Sequence, residues 1–474
     1  MLSQLVLVLI GTTMTVNGFV LLPSAQQQQQ QHHWNNHHTS SIQTPRPGQW
    51  GVQLAAKAGS KKKKTGASTG AVGGIKGFGV AAPGGKANNK NKSSNKKKAA
   101  SAVTMDRSKD ALEFYDFLVK NDAGDNLQRA ALGYFPLPNG GSLRGVVAMK
   151  DIKKGDVLIR IPYELAINLG PEGGDPTLPG LELLRKYCTS LQATDRLDTG
   201  STDGAVDHYP YFAMLPEFMG DDCKGSTDFF SDEALDALQS PLVADETKQR
   251  RQRVMKRFEQ DIARTTSNRI ISLDQDSQDD TASDDADTDS FPTWIDGTAV
   301  TEEHLRWAVW LITSRVLTVQ GAADTNKAYR LLIPFLDMCN HDRSSPHVLT
   351  GRAVPGGELK VVAGANVSAG EQINIGYGGG VAGNDRFLQD YGFLDAEAAF
   401  HIVALQILGK RRVVEGAVAG KTMPVVDREA TVAKLEETTV DQDRELLAST
   451  TAADMKAAIQ YRIGVKESLQ KYSD

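Results

Sequence analysis

LLIPFLDMCNH (Leu331–His341), GEQINIGYGGG (Gly370–Gly380) and NDRFLQDYGFLD (Asn384–Asp395) belong to one stretch whose reading decides the fold. LLIPFL is a continuous apolar run broken only by Pro334, the pattern of a short buried strand that stops at a polar cluster. VLTGRAVPGGELKVV (Val348–Val362) predicts two strands around the turn Pro355-Gly356-Gly357. EQINIGY alternates polar and apolar residues, as a half-buried strand does, and Gly378–Gly380 close it. Asp337-Met338-Cys339-Asn340-His341 therefore follows one strand end and Tyr377 another. Polar groups set between buried strands cost free energy unless each finds a partner. Both places are candidates for a site.

Together these residues resemble the SET-domain protein methyltransferases, in particular the branch that includes the plant Rubisco and aldolase lysine methyltransferases. DMCNH resembles that branch's D-x-x-N-H motif. GEQINIGYG followed by NDRFLQDYGF resembles its second motif, a strand ending in Tyr and then a helix ending in Tyr-Gly-Phe. The resemblance implies an α+β fold: a SET-domain β-fold with a pseudoknot, a largely helical insertion and a C-terminal all-helical substrate-binding domain. In the pseudoknot the tail after Tyr377 threads under the Asn-His segment. The implied cofactor is S-adenosylmethionine. By the same resemblance Tyr377 is catalytic and also touches the cofactor, Tyr391 lines the substrate channel with Phe393 beside it, and Asn340 and His341 bind the cofactor, partly through main chain. Asp337, counted with the cofactor site, is expected to anchor its loop by accepting backbone N–H bonds.

Outward from this stretch, LRGVVAMKDIKKGDVLIRIPYELAIN (Leu143–Asn168) predicts two strands, at Gly145–Met149 and Val157–Pro162, with a turn at Lys153–Asp156. It resembles the first SET motif, where backbone around a glycine binds the cofactor. Ser142, Arg144 and Gly145 are the candidates here, with Ser142 standing where the family usually has an acid; backbone contacts survive that change. Ser314-Arg315 resembles the family's Ser-Arg pair, whose arginine contacts the cofactor carboxylate. A guanidinium fork suits a carboxylate, and the alternative for Arg315 is a salt bridge with an acid of the chain. HYPYFAMLPEF (His208–Phe218) resembles another family segment.

Helical patterns fill much of the remainder. Ser108 caps a helix whose apolar face is Ala111, Leu112, Tyr115, Leu118 and Val119. Ser231–Ile262 is helical in pattern, with Leu235, Leu238 and Leu242 on one face. Thr301, followed by Glu302 and Glu303, starts a helix with core face Leu305, Ala308, Val309, Ile312 and Val316. Thr451 with Asp454 is a start signal of capping-box type for a last helix carrying Met455, Ile459 and Ile463. Taken with these patterns, the resemblance implies a SET domain over 105–395 with an insertion at about 170–330, and a helical substrate-binding domain over 396–474. Ser272–Ser290 is acidic and apolar-poor, the composition of a solvated loop.

The chain has 474 residues and a net charge of −5, unevenly spread. No Asp or Glu precedes Asp106, while thirteen Lys and Arg do. Leu5–Ile10 is apolar but too short to span a membrane. With a small-residue site at Val16-Asn17-Gly18 it predicts a signal peptide over 1–18. Phe19 and the acid-free segment to 104 then resemble the plastid-targeting leader of algae with secondary plastids; secretion, or a nuclear or cytoplasmic address for the lysine run, is the alternative. The Gln, His/Asn and Lys tracts cannot bury enough apolar area to fold. His32, His33, His37 and His38 read as part of a polar repeat, not a metal site. Cys188, Cys223 and Cys339 are too widely spaced for a disulfide framework or a zinc cluster. The partner implied is a folded protein presenting a lysine (Rubisco, aldolase or another), with no nucleic acid, no membrane and a monomeric enzyme. A histidine substrate and an inactive protein-binding SET fold are the alternatives. Because no apolar periodicity precedes it, a chain starting near Thr104 is expected to be soluble, folded and active; circular dichroism and an activity assay on that chain check this.

Overall fold

The structure, a computed structural model, describes residues 103–137, 141–192, 206–219, 225–264, 291–325, 327–378, 383–395, 402–409 and 427–473, with two-residue strands at Thr15–Val16, Phe19–Val20 and Ile75–Lys76. The remainder of the leader, the acidic run and Cys223 lie outside these residues. The strands, in chain order, are β1 (Thr104–Met105), β2 (Ala130–Pro136), β3 (Ser142–Ala148), β4 (Val157–Pro162), β5 (Ile167–Pro171), β6 (Leu317–Gln320), β7 (Ala328–Leu332), β8 (Val348–Thr350), β9 (Glu358–Val362) and β10 (Gln372–Ile373). They form small antiparallel sheets in the orders β10-β3-β2-β1, β8-β9-β4 and β6-β7-β5, with Ile75–Lys76 on the outer edge of β6. Helices α1 (Lys109–Lys120), α2 (Thr177–Gln192), α3 (Asp232–Ala237), α4 (Pro241–Phe258) and α5 (Glu302–Arg315) pack around them. The C-terminal part is helical: α6 (Ile402–Ile407), α7 (Arg428–Leu435), α8 (Val440–Ser449) and α9 (Ala453–Ser473).

The sequence pattern and the fold differ at identifiable points. In α1 the buried face is Ala111, Phe114, Phe117 and Leu118, whereas Leu112 and Val119, expected inside, are exposed. The spacing i, i+3, i+7 of 111, 114 and 118 outcompetes the weaker stripe because the two phenylalanines bury more area. The strand expected over LLIPFL ends at Leu332. Pro334 has no N–H to give a ladder, and Phe335, fully buried, turns the chain at φ +69°. The expected single helix over Ser231–Ile262 is two, α3 and α4, broken where Gln239 takes φ +50° and Ser240 is extended before Pro241. A residue before proline is driven out of the α region. Thr301 does start α5, but the reciprocal partner is His304, whose Nδ1 accepts the Thr301 N–H at 3.0 Å. Asp454 does not close a box with Thr451; it accepts the N–H and hydroxyl of Ser231 at 3.0 and 2.8 Å.

Two apolar cores result. The larger joins the sheets to α1, α2 and α5, with Trp307 and Tyr211 fully buried in it. The second is shared: Phe230, Leu235, Leu238 and Val243 from the insertion, Leu388 from the site stretch, and Val403, Ile407, Leu435, Tyr461 and Val465 from the C-terminal helices. The C-terminal helices are thus built onto α3, α4 and the segment that follows Tyr377.

His304 lies between Phe218 and Trp294, with ring centroids 4.1 and 4.0 Å away. Burial there lowers its pKa to about 4. Burial also lowers His208, His341 and His347. An unfolded imidazole titrates near ~6.5. As the pH falls below that, the unfolded chain takes up protons that the folded one refuses. Stability in place above pH ~6.5 is therefore expected to fall steadily down to about pH 4. Urea midpoints measured across that range check this, and His304→Gln should flatten the slope.

Candidate active site

The site forms where the two motif segments cross. After β10 the chain leaves its sheet: Ile375 N–H donates to Asn340 O at 2.9 Å and Asp342 N–H to Ile375 O at 3.0 Å, making a parallel bridge between His341 and Ile375. This explains why only Gln372–Ile373 of the alternating run EQINIGY is strand. From Ile375 on, the backbone groups are taken by the crossing segment instead of β3.

Each candidate side chain is fixed from this crossing. Asn340 Nδ2 donates to Arg144 O at 2.8 Å. Gly145 is needed beside it, because a Cβ there would stand 2.6 Å from Asn340 Nδ2 and 2.5 Å from Gln372 Nε2. Ser142 and Leu143 are exposed at the start of β3, and Arg144 turns its guanidinium to Met214 O at 2.6 Å. His341 Nδ1 accepts the backbone N–H of Tyr377 at 3.0 Å, so the ring proton sits on Nε2, which faces Asp395 Oδ2 at 3.5 Å. Burial holds this imidazole below its usual range, keeping it neutral. Arg343 Nε also donates to Asp395 Oδ2, at 2.7 Å, and the Asn384 side chain clamps the Asp395 backbone through both its O and N atoms.

Tyr377 gives its hydroxyl hydrogen to Cys339 O at 2.6 Å. Its ring stacks on Tyr391 at 5.0 Å, and Phe387 and Phe393 complete an aromatic wall around His341. Burial drives both phenols well above the ordinary tyrosine range. They are neutral hydrogen-bonding groups at physiological pH, not bases. Cys339 is fully buried and burial pushes its thiol up as well, leaving it inert.

Asp337 departs from expectation. Its carboxylate does not accept backbone N–H groups; Oδ2 takes the Tyr211 hydroxyl at 2.9 Å and Arg315 Nη1 at 3.1 Å. Its side chain is buried, whereas one-fifth of Arg315 remains exposed. Oδ1 has no partner among the described residues, and neither has Gln372 Nε2. Burial raises the Asp337 pKa against the opposing pull of Arg315. The structure thus brings Arg144, Gly145, Asp337, Asn340, His341, Arg315, Tyr377 and Tyr391 to one junction, with Ser142 at its exposed edge.

Residues 143–378 match the family model of the SET domain. This segment is a SET domain. No curated protein matches the chain. Among solved structures it is similar to the SET domain of LSMT bound to lysine and AdoHcy, at 18% identity over 77% of this chain and 90% of that one, with a TM-score of 0.45. It is also similar to Rubisco LSMT bound to AdoMet, at 19% identity over 77% of this chain and 91% of that one, with a TM-score of 0.46.

Several residues of this junction escaped sequence reasoning. Tyr211, which holds Asp337, lies in HYPYFAMLPEF, a segment singled out without a role for that hydroxyl. Asp395 closes the NDRFLQDYGFLD run, but nothing in the pattern ties it to His341. Gln372 is one polar residue of an alternating strand, and only its distance to Gly145 marks it. Asp337→Ala would leave Arg315 and Tyr211 facing an apolar gap. Breaking one side of a buried pair costs about 3–5 kcal/mol, and the exposure of Arg315 places this one near the lower end. Asp337→Asn, which keeps an acceptor, should lose less; thermal unfolding of both variants checks the order.

Proposed function

We propose that the chain is an S-adenosylmethionine-dependent protein-lysine N-methyltransferase acting on a folded protein. The observation that carries this is the neutral Tyr377 phenol, fixed by Cys339 O and stacked on Tyr391, at the crossing of a SET domain's two motif segments. The residues present fit the cofactor. Asp337 Oδ1 and Gln372 Nε2 are a buried acceptor and a buried donor without partners among the described residues, and an amino-acid moiety carries the ammonium and carboxylate that would supply them. Asn340, His341, Arg315 and the backbone around Gly145 would hold it, with Ser142 and Arg144 at the same edge. Arg315, partly exposed beside Asp337, keeps donors for a carboxylate.

When bound, the cofactor supplies a methyl group on a positively charged sulfonium. A substrate amine that would take this methyl needs a free lone pair, so it must enter without its proton. A free lysine has a pKa near ~10.4, and an aromatic, dry channel lowers it by disfavouring the charged form. Tyr391, Phe387 and Phe393 supply such a wall. Tyr377, giving its hydrogen to a carbonyl, offers its oxygen as an acceptor to the positive charge. The ring faces stabilise the same charge, and alignment of nitrogen and methyl lowers the barrier further. The helices α6–α9 are the surface on which a folded substrate would rest. The acid-free leader, with its apolar Leu5–Ile10 and aromatic Phe19, supports a plastid destination.

Tyr377→Phe keeps the ring and removes the hydroxyl. It should bind cofactor almost normally and lose about 10²–10³ in turnover, in kcat more than in KM. The assay is single-turnover transfer from labelled cofactor to an algal extract. Equal labelling by wild type and variant would sink the role of the hydroxyl. No labelling by wild type, despite tight capture of a protein, would favour an inactive binding fold.

A further inference from the structure

Tyr391 ends a short helical turn, Phe387–Tyr391. Its own side chain meets the Tyr377 ring and the Gly378 backbone, and the rest of the turn is held from the insertion. Arg250, on α4, is almost wholly buried, with its side chain 5% exposed. Its three nitrogens are all used. Nε donates to Asp228 Oδ1 at 2.8 Å, Nη1 to Asp390 Oδ1 at 2.9 Å and Nη2 to Gln389 O at 2.7 Å. Two of these bonds end on the residues immediately before Tyr391. A second ion pair from the same helix, Glu246 to Arg386 at 3.0 Å, grips the start of the turn, and Arg386 in turn bonds Gln389 Oε1 at 2.7 Å.

The far side of the turn is closed by the same part of the chain. Gly392 takes φ +80°, and a Cβ there would strike the Gly225 backbone. The segment after Gly225 is itself tied to α4 through Asp228 and through Thr227 Oγ1, 2.6 Å from Thr247 Oγ1. Leu388 packs with Val243 of α4 in the second core. Apolar packing alone would let the turn slide. A planar fork bonded to two acceptors on consecutive residues fixes its height and rotation. Desolvating a guanidinium and two carboxylates is costly, and a surface of leucines would bury the same helix more cheaply, so the network's effect is geometric.

We propose that Arg250 is a positioning residue that holds Tyr391 against Tyr377, so that helix α4 of the insertion sets the room available to the substrate amine and its added methyl groups. The claim about the amine rests on the function proposed above; the claim about Tyr391 does not. Lysine at 250 has one nitrogen for three acceptors on different atoms, so it cannot keep the fork. Asp390→Asn keeps the Oδ1 acceptor and removes the charge, a milder change at a partly exposed side chain.

The test uses the full chain labelled with 3-fluorotyrosine and read by fluorine NMR, with Tyr187, buried against Trp307, as internal control. In Arg250→Lys the Tyr391 resonance should shift and broaden while that of Tyr187 stays. Asp390→Asn should move it less, in the same direction, and decides the question if Arg250→Lys does not fold. A Tyr391 resonance unmoved in every folded variant overturns the positioning role. On the methylated substrate, kcat/KM should fall about 10–10²-fold, as a small misplacement does. Most of the loss should lie in KM, and the ratio of mono-, di- and trimethylated product should change. Glu358→Gln, which breaks the Arg160 pair between β4 and β9, should leave that ratio alone. A wild-type KM and product ratio in Arg250→Lys and Asp390→Asn, with Tyr391 displaced, overturns the claim about the amine. A wild type that methylates nothing overturns the functional reading instead, and the Tyr391 resonance still judges the positioning role.

Discussion

Two backbone hydrogen bonds, Ile375 N–H to Asn340 O and Asp342 N–H to Ile375 O, are the constraint on which the rest of the site depends. They join segments more than thirty residues apart in parallel, a pairing that no hairpin can make. Once made, they set Tyr377 N–H on His341 Nδ1 and Tyr377 Oη on Cys339 O. The tyrosine is thus tied at both ends to the segment it crosses. A side chain held by its own backbone and by its terminal atom keeps little rotational freedom, which is what a group acting on a developing charge requires.

Around that crossing, buried charge is spent on geometry rather than on stability. Asp337 is surrounded by Arg315 and Tyr211, Asp395 by Arg343 and His341, Asp228 and Asp390 by Arg250, and Asp443 by Arg462 and Lys466. Asp337, Asp395 and Asp390 join elements distant in sequence, and Asp228 and Asp443 join neighbouring helical segments. Buried ion pairs contribute little net stability compared with apolar packing of the same volume, but they tolerate few alternative arrangements. The stability comes from the two apolar cores; the registry of the site comes from these pairs.

The second core gives the C-terminal helices their relation to the site. Tyr461 of α9 donates to Asp385 Oδ1 at 2.6 Å, next to Asn384, which clamps Asp395, which faces His341. Hydrogen bonds on either side of the Asn384–Asp385 peptide therefore link the last helix to the imidazole that receives the Tyr377 N–H. The helical part and the residues at the crossing are one mechanical unit, with the insertion helix α4 as its third member.

How far the sequence went can be judged residue by residue. The motifs DMCNH and GEQINIGYG, the turn at Pro355-Gly356-Gly357 and the helix end at Gly392 were legible because each is a local signal: a strand end, a turn glycine, a left-handed cap. The SET domain and its α+β class followed from these. The true inner face of α1, the break at Gln239 and the short β10 were not, since each is decided by a neighbour that competes for the same face or the same backbone groups. The ion partners were decided by the tertiary structure alone. Nothing local to Asp337 says that it will meet Tyr211 and Arg315 instead of backbone N–H groups, nor does anything near Tyr391 point to Arg250. Spacing along a chain reports which groups are present at a site, and only the crossing of distant segments decides which of them are left with a partner and which are left to a ligand.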